Sequence, residues 1–258
     1  MTSADIDPLS LFRLDDQVAV VTGASSGLGE RFARVLHAAG ATVVVAARRL
    51  ERLEALADDL PGTLAVQADL SQPEDRERLI ATAIEQCGSV HVLVNNAGIS
   101  TVTSVEDEDL DRFREVMEVN VTAVWHLSKL AAVPMVGQGY GSIVNIASML
   151  GHVAGSPIKQ ANYCASKGAV VNLTRELAVQ WARKGLHVNA LCPGWFESEM
   201  TAGMESDEGS QRFVKQNSPI PRMGYAHELD GALLLLASRA STFLTGQSII
   251  VDGGWTSR

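Results

Sequence analysis

Short apolar runs rich in β-branched residues alternate along this chain with longer stretches of helical period. The runs over 18–22, 42–46, 63–66, 90–94, 142–146, 187–191 and 248–251 are almost continuously apolar, as strands covered on both faces must be. The intervening stretches carry helix ends. A stretch over 30–39 runs into Gly40, a C-terminal cap, and Ser71-Gln72-Pro73-Glu74 reads as a capping box with a proline in the first turn of a helix over 77–86. A long helix is expected over 107–132, ending ahead of Pro134, with another over 163–183 and a short buried one over 231–237. This alternation predicts βαβ units and a single α/β domain, a doubly wound parallel sheet of about seven strands with helices on both faces.

The first 15 residues read as a polar leader, and 16–258 as the domain. The alternation breaks over 195–225, where Gly203, Gly209 and acidic residues mix with Met200, Met204 and Phe213. An insertion after a strand's carboxyl end in an open sheet lies beside the ligand crevice, and this one is expected to act as a substrate lid.

Length and composition narrow the function. The 258 residues carry 21 Lys and Arg against 30 Asp and Glu, a net charge of −9, with 46% hydrophobic residues. That balance is ordinary for a globular protein and poor for nucleic-acid binding, which needs clustered cations. The nearest cluster is Arg48-Arg49. No run approaches the ~20 apolar residues of a membrane span, and the start lacks the basic and apolar regions of a secretory signal. Three cysteines at unrelated spacings, Cys87, Cys164 and Cys192, fit neither a disulfide framework nor a metal site. A reducing, cytoplasmic setting is expected.

Thr22-Gly23-Ala24-Ser25-Ser26-Gly27-Leu28-Gly29 links the first strand to the first helix. Glycines there let the backbone approach a pyrophosphate, and the helix start attracts its charge. No Lys-Ser or Lys-Thr follows, which excludes a P-loop. The second strand runs into Arg48-Arg49 with no acid before Glu51. Acid at that point would grip a ribose 2′-hydroxyl, whereas arginine accommodates a 2′-phosphate. NADP(H) is therefore favoured over NAD(H), with Arg48, nearer the strand end, as the better contact.

Tyr163 and Lys167 stand at i and i+4, on one face of a helix. A phenol titrates near pH 10 and needs a neighbouring cation to exchange protons at neutral pH. Ser148 follows a strand at its carboxyl end, where a hydroxyl can bond a substrate carbonyl, and Asn120 falls inside a helix, where an amide is mildly disfavoured.

Together these motifs resemble the compact single-domain branch of the short-chain dehydrogenase/reductase family. The resemblance covers 16–254 and is carried by the glycine turn, Asp69, Asn95-Asn96-Ala97-Gly98, Asn120, Ser148, Tyr163, Lys167 and Pro193-Gly194. It implies a Rossmann-like fold in which Tyr163 is the general acid/base, Lys167 lowers its pKa and binds the nicotinamide ribose, Ser148 orients the carbonyl and Asn120 supports a proton relay. Cofactor contacts are implied at Gly23, Ser25, Ser26, Gly27, Leu28, Gly29, Arg48, Arg49, Asp69, Leu70, Asn96, Ala97, Gly98, Tyr163, Lys167, Pro193, Gly194, Phe196 and Ser198, the last where the family often has threonine. Glu197 is less usual there and is expected to point outward.

Substrate contacts are expected at Ser148, Met149, His152, Tyr163, Trp195, Met200 and Met204, whose apolar members favour a hydrophobic carbonyl compound. Cys164 projects about 100 degrees round the helix from Tyr163 and reads as a small buried filler. The stretch 246–254 resembles a region that often joins subunits, implying a homotetramer or homodimer.

The expected activity is hydride transfer between a nicotinamide cofactor and a ketone or secondary alcohol. A 3-oxoacyl-[acyl-carrier-protein] reductase is the alternative. Its strongly acidic partner would want cations at the entrance, yet 135–140 has none, although Lys184 leaves the alternative open. A non-catalytic NADPH-binding regulator fits the intact Ser148, Tyr163 and Lys167 less well. An extended-branch sugar epimerase would need a separate C-terminal substrate domain.

Overall fold

The computed structural model describes residues 7–197, 199, 201, 203–204 and 207–257. Seven strands form one parallel sheet: β1 (Val18–Thr22), β2 (Thr42–Ala47), β3 (Leu64–Gln67), β4 (Val92–Asn95), β5 (Gly141–Ile146), β6 (Leu186–Pro193) and β7 (Ser248–Val251), in the order 3-2-1-4-5-6-7. All seven expected runs became strands, two with the expected bounds and five shifted at an end by one or two residues. Successive side chains of a strand point to opposite faces, so each apolar run supplies two cores. Ala19, Val21, Val43, Val45, Val92 and Val94 face α1 (Gly27–Ala38), α2 (Leu50–Asp59) and α8 (Asp230–Ala237), meeting Phe32, Leu36, Leu53 and Leu233. Val18, Val20, Val44, Leu93, Ile143 and Val188 face α3 (Pro73–Cys87), α5 (Ala123–Gly137) and α6 (Ala161–Trp181), meeting Leu79, Leu127, Met135 and Leu177. The remaining helices are α4 (Leu110–Met117) and α7 (Glu208–Asn217).

Strand order reverses between β1 and β4, and open sheets bind ligands at the carboxyl ends of the strands beside such a switch. A buried polar ladder stiffens that end. Asn95 donates to Asn145 Oδ1 at 2.9 Å and to Ser128 Oγ at 3.1 Å, and Asn145 donates to Thr174 Oγ1 at 2.9 Å. Arg76 of α3, 1% exposed, donates to the carbonyls of Ser71 and Gln72 and, at 2.6 Å, to Glu118. It ties the loop after β3 to the turn after α4.

Three expectations change. The long helix is not continuous, because α4 and α5 are separated by one wider, π-type turn at Glu118–Thr122, and such turns recur at functional sites. Pro134 does not end α5 but lies inside it. Ala131, Ala132 and Met135 are packed in the core on either side of it, and this burial outweighs the one backbone bond that proline forfeits. Ser71 does not cap α3; Gln72 holds the cap position, and the Ser71 hydroxyl turns back to donate to Asp69 Oδ1 at 2.8 Å. Pro73 opens that helix as expected. The stretch 195–225 leaves the sheet, pairs Phe196 with Gly224 and contains α7. No helix among the described residues is long and apolar enough to cross a membrane.

Candidate active site

A crevice of about 950 Å³ crosses the carboxyl edge of the sheet. Its floor at one end is the glycine turn. Thr22 Oγ1 accepts from the backbone N–H groups of Asn96 and Ala97 at 3.0 and 3.1 Å, and Asn96 Nδ2 donates to the carbonyl of Thr22 at 2.9 Å, which locks the loops after β1 and β4 together. Gly23 has φ +66° and lies against Ala97, where a Cβ would come within 2.8 Å of Ala97 Cα. At Gly29 a Cβ would meet the carbonyl oxygen of Gly23 at 2.2 Å, so only glycine lets the first turn of α1 pack here. The turn therefore presents backbone to the crevice, as a pyrophosphate cradle requires.

At the end of β2 the two arginines diverge. Arg48 is exposed, and its carbonyl accepts from Gln67 at 2.9 Å. Arg49 occupies the N-terminal cap position of α2 and folds back over the turn, donating to Ser25 Oγ at 3.0 Å and Ser26 Oγ at 2.8 Å. Both arginines line the crevice, and the helix start directs the second one inward. Arg49 also grips Glu199 in a two-pronged pair at 2.8 Å to each oxygen, while Ser26 donates to Glu199 Oε2 at 2.5 Å. These donors hold the Glu199 carboxyl well down, to about 2.

At the other end, β5 delivers Ser148 and the first turns of α6 deliver Tyr163 and Lys167. Ser148 is buried, accepts from the N–H of Leu150 at 3.1 Å and lies near enough to the Tyr163 hydroxyl to hold its pKa down in part. Lys167 Nζ lies 5.5 Å from the Tyr163 ring centre and donates to the carbonyl of Ile146 at 2.7 Å. Burial lowers the Lys167 ammonium to about 8 and raises the Tyr163 phenol to about 12, against which Ser148 pulls only partly. Desolvation is the largest influence on the phenol.

Asn120 sits on the π-type turn, fully buried. Its Oδ1 accepts from the N–H of Ile99 at 2.9 Å, and its Nδ2 donates to the carbonyl of Ile99 and to Ser166 Oγ, each at 2.9 Å. Ser166 in turn donates to the carbonyl of Tyr163 at 2.8 Å. Gly98 closes this corner, where a Cβ would stand 3.3 Å from Asn120 Oδ1 and 3.5 Å from Lys167 Nζ. The wider turn frees a mid-helix amide to bridge the loop after β4 and the start of α6.

The crevice lining includes Gly23, Ser25, Ser26, Gly27, Leu28, Gly29, Arg48, Arg49, Asp69, Leu70, Asn96, Ala97, Gly98, Ser148, Tyr163, Lys167, Pro193, Gly194, Trp195, Phe196 and Met204. Ser198 and Met200 lie outside the described residues. Met149 and His152 do not line it. Met149, 1% exposed, is packed with Trp255 in a separate apolar cluster, and His152 turns to Cys192, with Nε2 3.6 Å from Sγ. The short turn at Met149–Gly151 carries both side chains away from the opening. Glu197 is exposed and not in the lining. Cys164 is half-buried, and all three cysteines are free. Sequence reasoning missed Arg112, Gln160 and Glu199, which also line the crevice. The only signal for Glu199 was the acidic character of the 195–225 stretch.

The sequence model of a family described as enoyl-(acyl carrier protein) reductase matches residues 23–256. Galactitol 2-dehydrogenase (L-tagatose-forming) of Cereibacter sphaeroides is 38% identical over 253 residues, 97% of this chain and 99% of that protein. Gluconate 5-dehydrogenase of Gluconobacter oxydans is 38% identical over 251 residues, 95% and 97% of the respective chains. The crystal structure of a gluconate 5-dehydrogenase from Burkholderia cenocepacia, in complex with NADP and tartrate, superposes with a TM-score of 0.92 at 34% identity, covering 98% of this chain and all of that one. The chain belongs to the short-chain dehydrogenase/reductase family and is an NAD(P)-dependent oxidoreductase acting on CH–OH groups.

Proposed function

We propose that this protein interconverts a ketone and a secondary alcohol with NADP(H) as the favoured cofactor and NAD(H) as the alternative. One observation carries the reading: Ser148, Tyr163 and Lys167, whose Nζ lies 5.5 Å from the Tyr163 ring, line the same crevice as the glycine turn. The residues fit a dinucleotide. Gly23 and Gly29 clear the backbone for its pyrophosphate, Arg49, Ser25 and Ser26 converge where a 2′-phosphate is read, and Lys167 and Gly98 meet Asn120 at the far end. When bound, the nicotinamide donates or accepts the hydride.

The chain's own residues handle the oxygen and its proton. Ser148 donates to the carbonyl oxygen and fixes the reacting carbon over the crevice floor. Tyr163, held as a neutral phenol at neutral pH, gives its proton to the forming alkoxide in reduction and takes it back in oxidation. Lys167 stabilises the phenolate formed in passing. Asn120 holds the loop at Ile99 and the start of α6 in register, so Tyr163 and Lys167 keep their spacing. Segment 195–225 serves as the substrate lid, supported by Trp195, Phe196 and Met204 in the lining.

The substrate end mixes Val102, Ile158 and Trp195 with Arg112, Glu115 and Gln160. It is more polar than the sequence led one to expect, because Met149 is withdrawn into the core. Polyols and sugar acids, the compounds named for the two relatives above, therefore stand ahead of purely hydrophobic ketones, while other relatives are named as 3-oxoacyl-[acyl-carrier-protein] reductases. The acyl-thioester alternative is disfavoured by the net charge of −9, which offers an acidic carrier no long-range attraction. Exposed Trp125, Val133 and Val136 on α5 and Val179 on α6 support assembly into a homodimer or homotetramer.

The test is loss of absorbance at the reduced-nicotinamide band with NADPH and NADH in parallel. The panel covers keto-sugar acids, ketohexoses, cyclic and aryl ketones, β-keto esters and an acyl thioester. Carbonyl-dependent NADPH consumption that disappears in Tyr163→Phe is expected; undiminished turnover in that variant overturns the reading.

A further inference from the structure

Glu199 stands on the segment leaving β6, yet its partners stand at the end of β2. The two strands are four places apart in the sheet, roughly 19 Å at the usual strand spacing. The segment therefore straps the crevice. Thr201, two positions after Glu199, donates through Oγ1 to the carbonyl of Phe196 at 2.6 Å, and Phe196 is itself buried and paired with Gly224. The carboxylate is thus presented from a braced base.

What it meets is an anion seat. Arg49 supplies two donors at 2.8 Å and Ser26 one at 2.5 Å, with Arg52 at 3.4 Å. Two guanidinium groups and a hydroxyl beside a glycine turn, with Arg49 20 positions after Gly29, form the arrangement that reads a ribose 2′-phosphate. Here a carboxylate of the same chain fills it.

We propose that Glu199 sets the selectivity between the two dinucleotides: its carboxylate occupies the seat of Arg49, Arg52 and Ser26, so a 2′-phosphate must displace it and a free 2′-hydroxyl need not. This rests on the cofactor reading given above and deepens it. With the 2′-hydroxyl form, Glu199 keeps its partners and offers the hydroxyl an acceptor. With the 2′-phosphate form, the two anions compete for the same cations, and the strap loses its anchor on β2. The net preference for NADP(H) is therefore smaller than two arginines would otherwise give, and it is adjustable at one residue that touches no reacting atom.

The experiment titrates 2′,5′-ADP and 5′-AMP, the two adenine-end fragments, into the full chain by calorimetry, for the wild type, Glu199→Gln and Arg49→Gln. Glu199→Gln removes the competing charge at an exposed position and keeps the shape. It is expected to tighten 2′,5′-ADP about fivefold, the size of one well-formed surface ion pair, and to leave 5′-AMP within about twofold. Arg49→Gln is expected to weaken 2′,5′-ADP selectively. Unchanged or weaker 2′,5′-ADP binding in Glu199→Gln, or equal tightening of both fragments, overturns the proposal. If Arg49→Gln binds 2′,5′-ADP as the wild type does, the seat is not the 2′-phosphate site, and the cofactor reading falls with it. A selective loss in Arg49→Gln with no gain in Glu199→Gln overturns the role of Glu199 alone.

Discussion

The two ends of the crevice are built on opposite physical terms. At the catalytic end, Ser148, Asn120 and Lys167 are buried and the Tyr163 hydroxyl is desolvated, all on regular elements or their first turns, and burial displaces both titrating groups from their ordinary values. At the rim, Arg49, Arg52 and Glu199 have side chains 37%, 50% and 52% exposed, joined by ion pairs across a strap. Buried groups are positioned by packing and change little with salt, whereas exposed pairs are positioned by each other and are screened. Under the proposed reading, the reacting groups are therefore held rigidly and the cofactor-selecting groups softly.

The largest contrast is expected in turnover. Tyr163→Phe should lower kcat by roughly 10²- to 10⁴-fold, measured with the best carbonyl substrate. Because burial raises the phenol to about 12 in the protein alone, Tyr163 is protonated throughout the neutral range. For the free enzyme, kcat/KM for reduction should be level across neutral pH, while that for alcohol oxidation should climb by up to about tenfold per pH unit. An oxidation profile that is flat over the same range would show that a different group takes the proton.

Next come effects on folding. Arg76 is buried and holds two carbonyls and Glu118. Arg76→Ala should destabilise the fold by about 2–3 kcal/mol in urea unfolding. Lys167 should behave in the opposite sense. Its folded value of about 8 lies below the ordinary 10.5, so below about pH 8 the folded state carries a desolvated charge that the unfolded state does not. That penalty fades as pH rises from about 8 to about 10.5. Lys167→Met should therefore be inactive yet more stable than the wild type at pH 7, by roughly 2–3 kcal/mol, with the gain gone near pH 10.5. A destabilised Lys167→Met at pH 7 would mean that the ammonium is well solvated. The smallest stability effect is expected at the rim. Glu199→Gln should move stability by no more than about 0.5 kcal/mol, and less in high salt.

The same contrast explains what could be read from the sequence. The inner strands were legible because a strand covered on both faces must be apolar throughout, the half-buried edge strands because they are still apolar runs, and Val18–Thr22 and Ser248–Val251 were placed to the residue. The meeting of Tyr163, Lys167 and Ser148 on the crevice was legible because it depends on local spacing or on a strand end. Asn120 was marked as an unfavourable mid-helix amide, but the π-type turn that accommodates it depends on contacts with Ile99 and Ser166, far along the chain. Pro134 misled because tertiary packing overrides local preference. Met149 and His152 follow Ser148 closely, yet one short turn sends them elsewhere, since side-chain direction rather than sequence nearness decides what reaches a site. Glu199 left no signal beyond the acidic character of its stretch: its partner Arg49 is 150 residues away, and an exposed ion pair imposes no periodicity on its surroundings.

The most direct test of the central claim separates binding from chemistry in one protein. NADPH affinity by calorimetry and steady-state turnover should be measured side by side for the wild type and Tyr163→Phe. The account predicts an affinity within about threefold of wild type, because the cradle at Gly23, Ser26 and Arg49 is untouched, together with a kcat lowered by at least roughly a hundredfold. A Tyr163→Phe protein that binds NADPH normally and still turns over at the wild-type rate would contradict it.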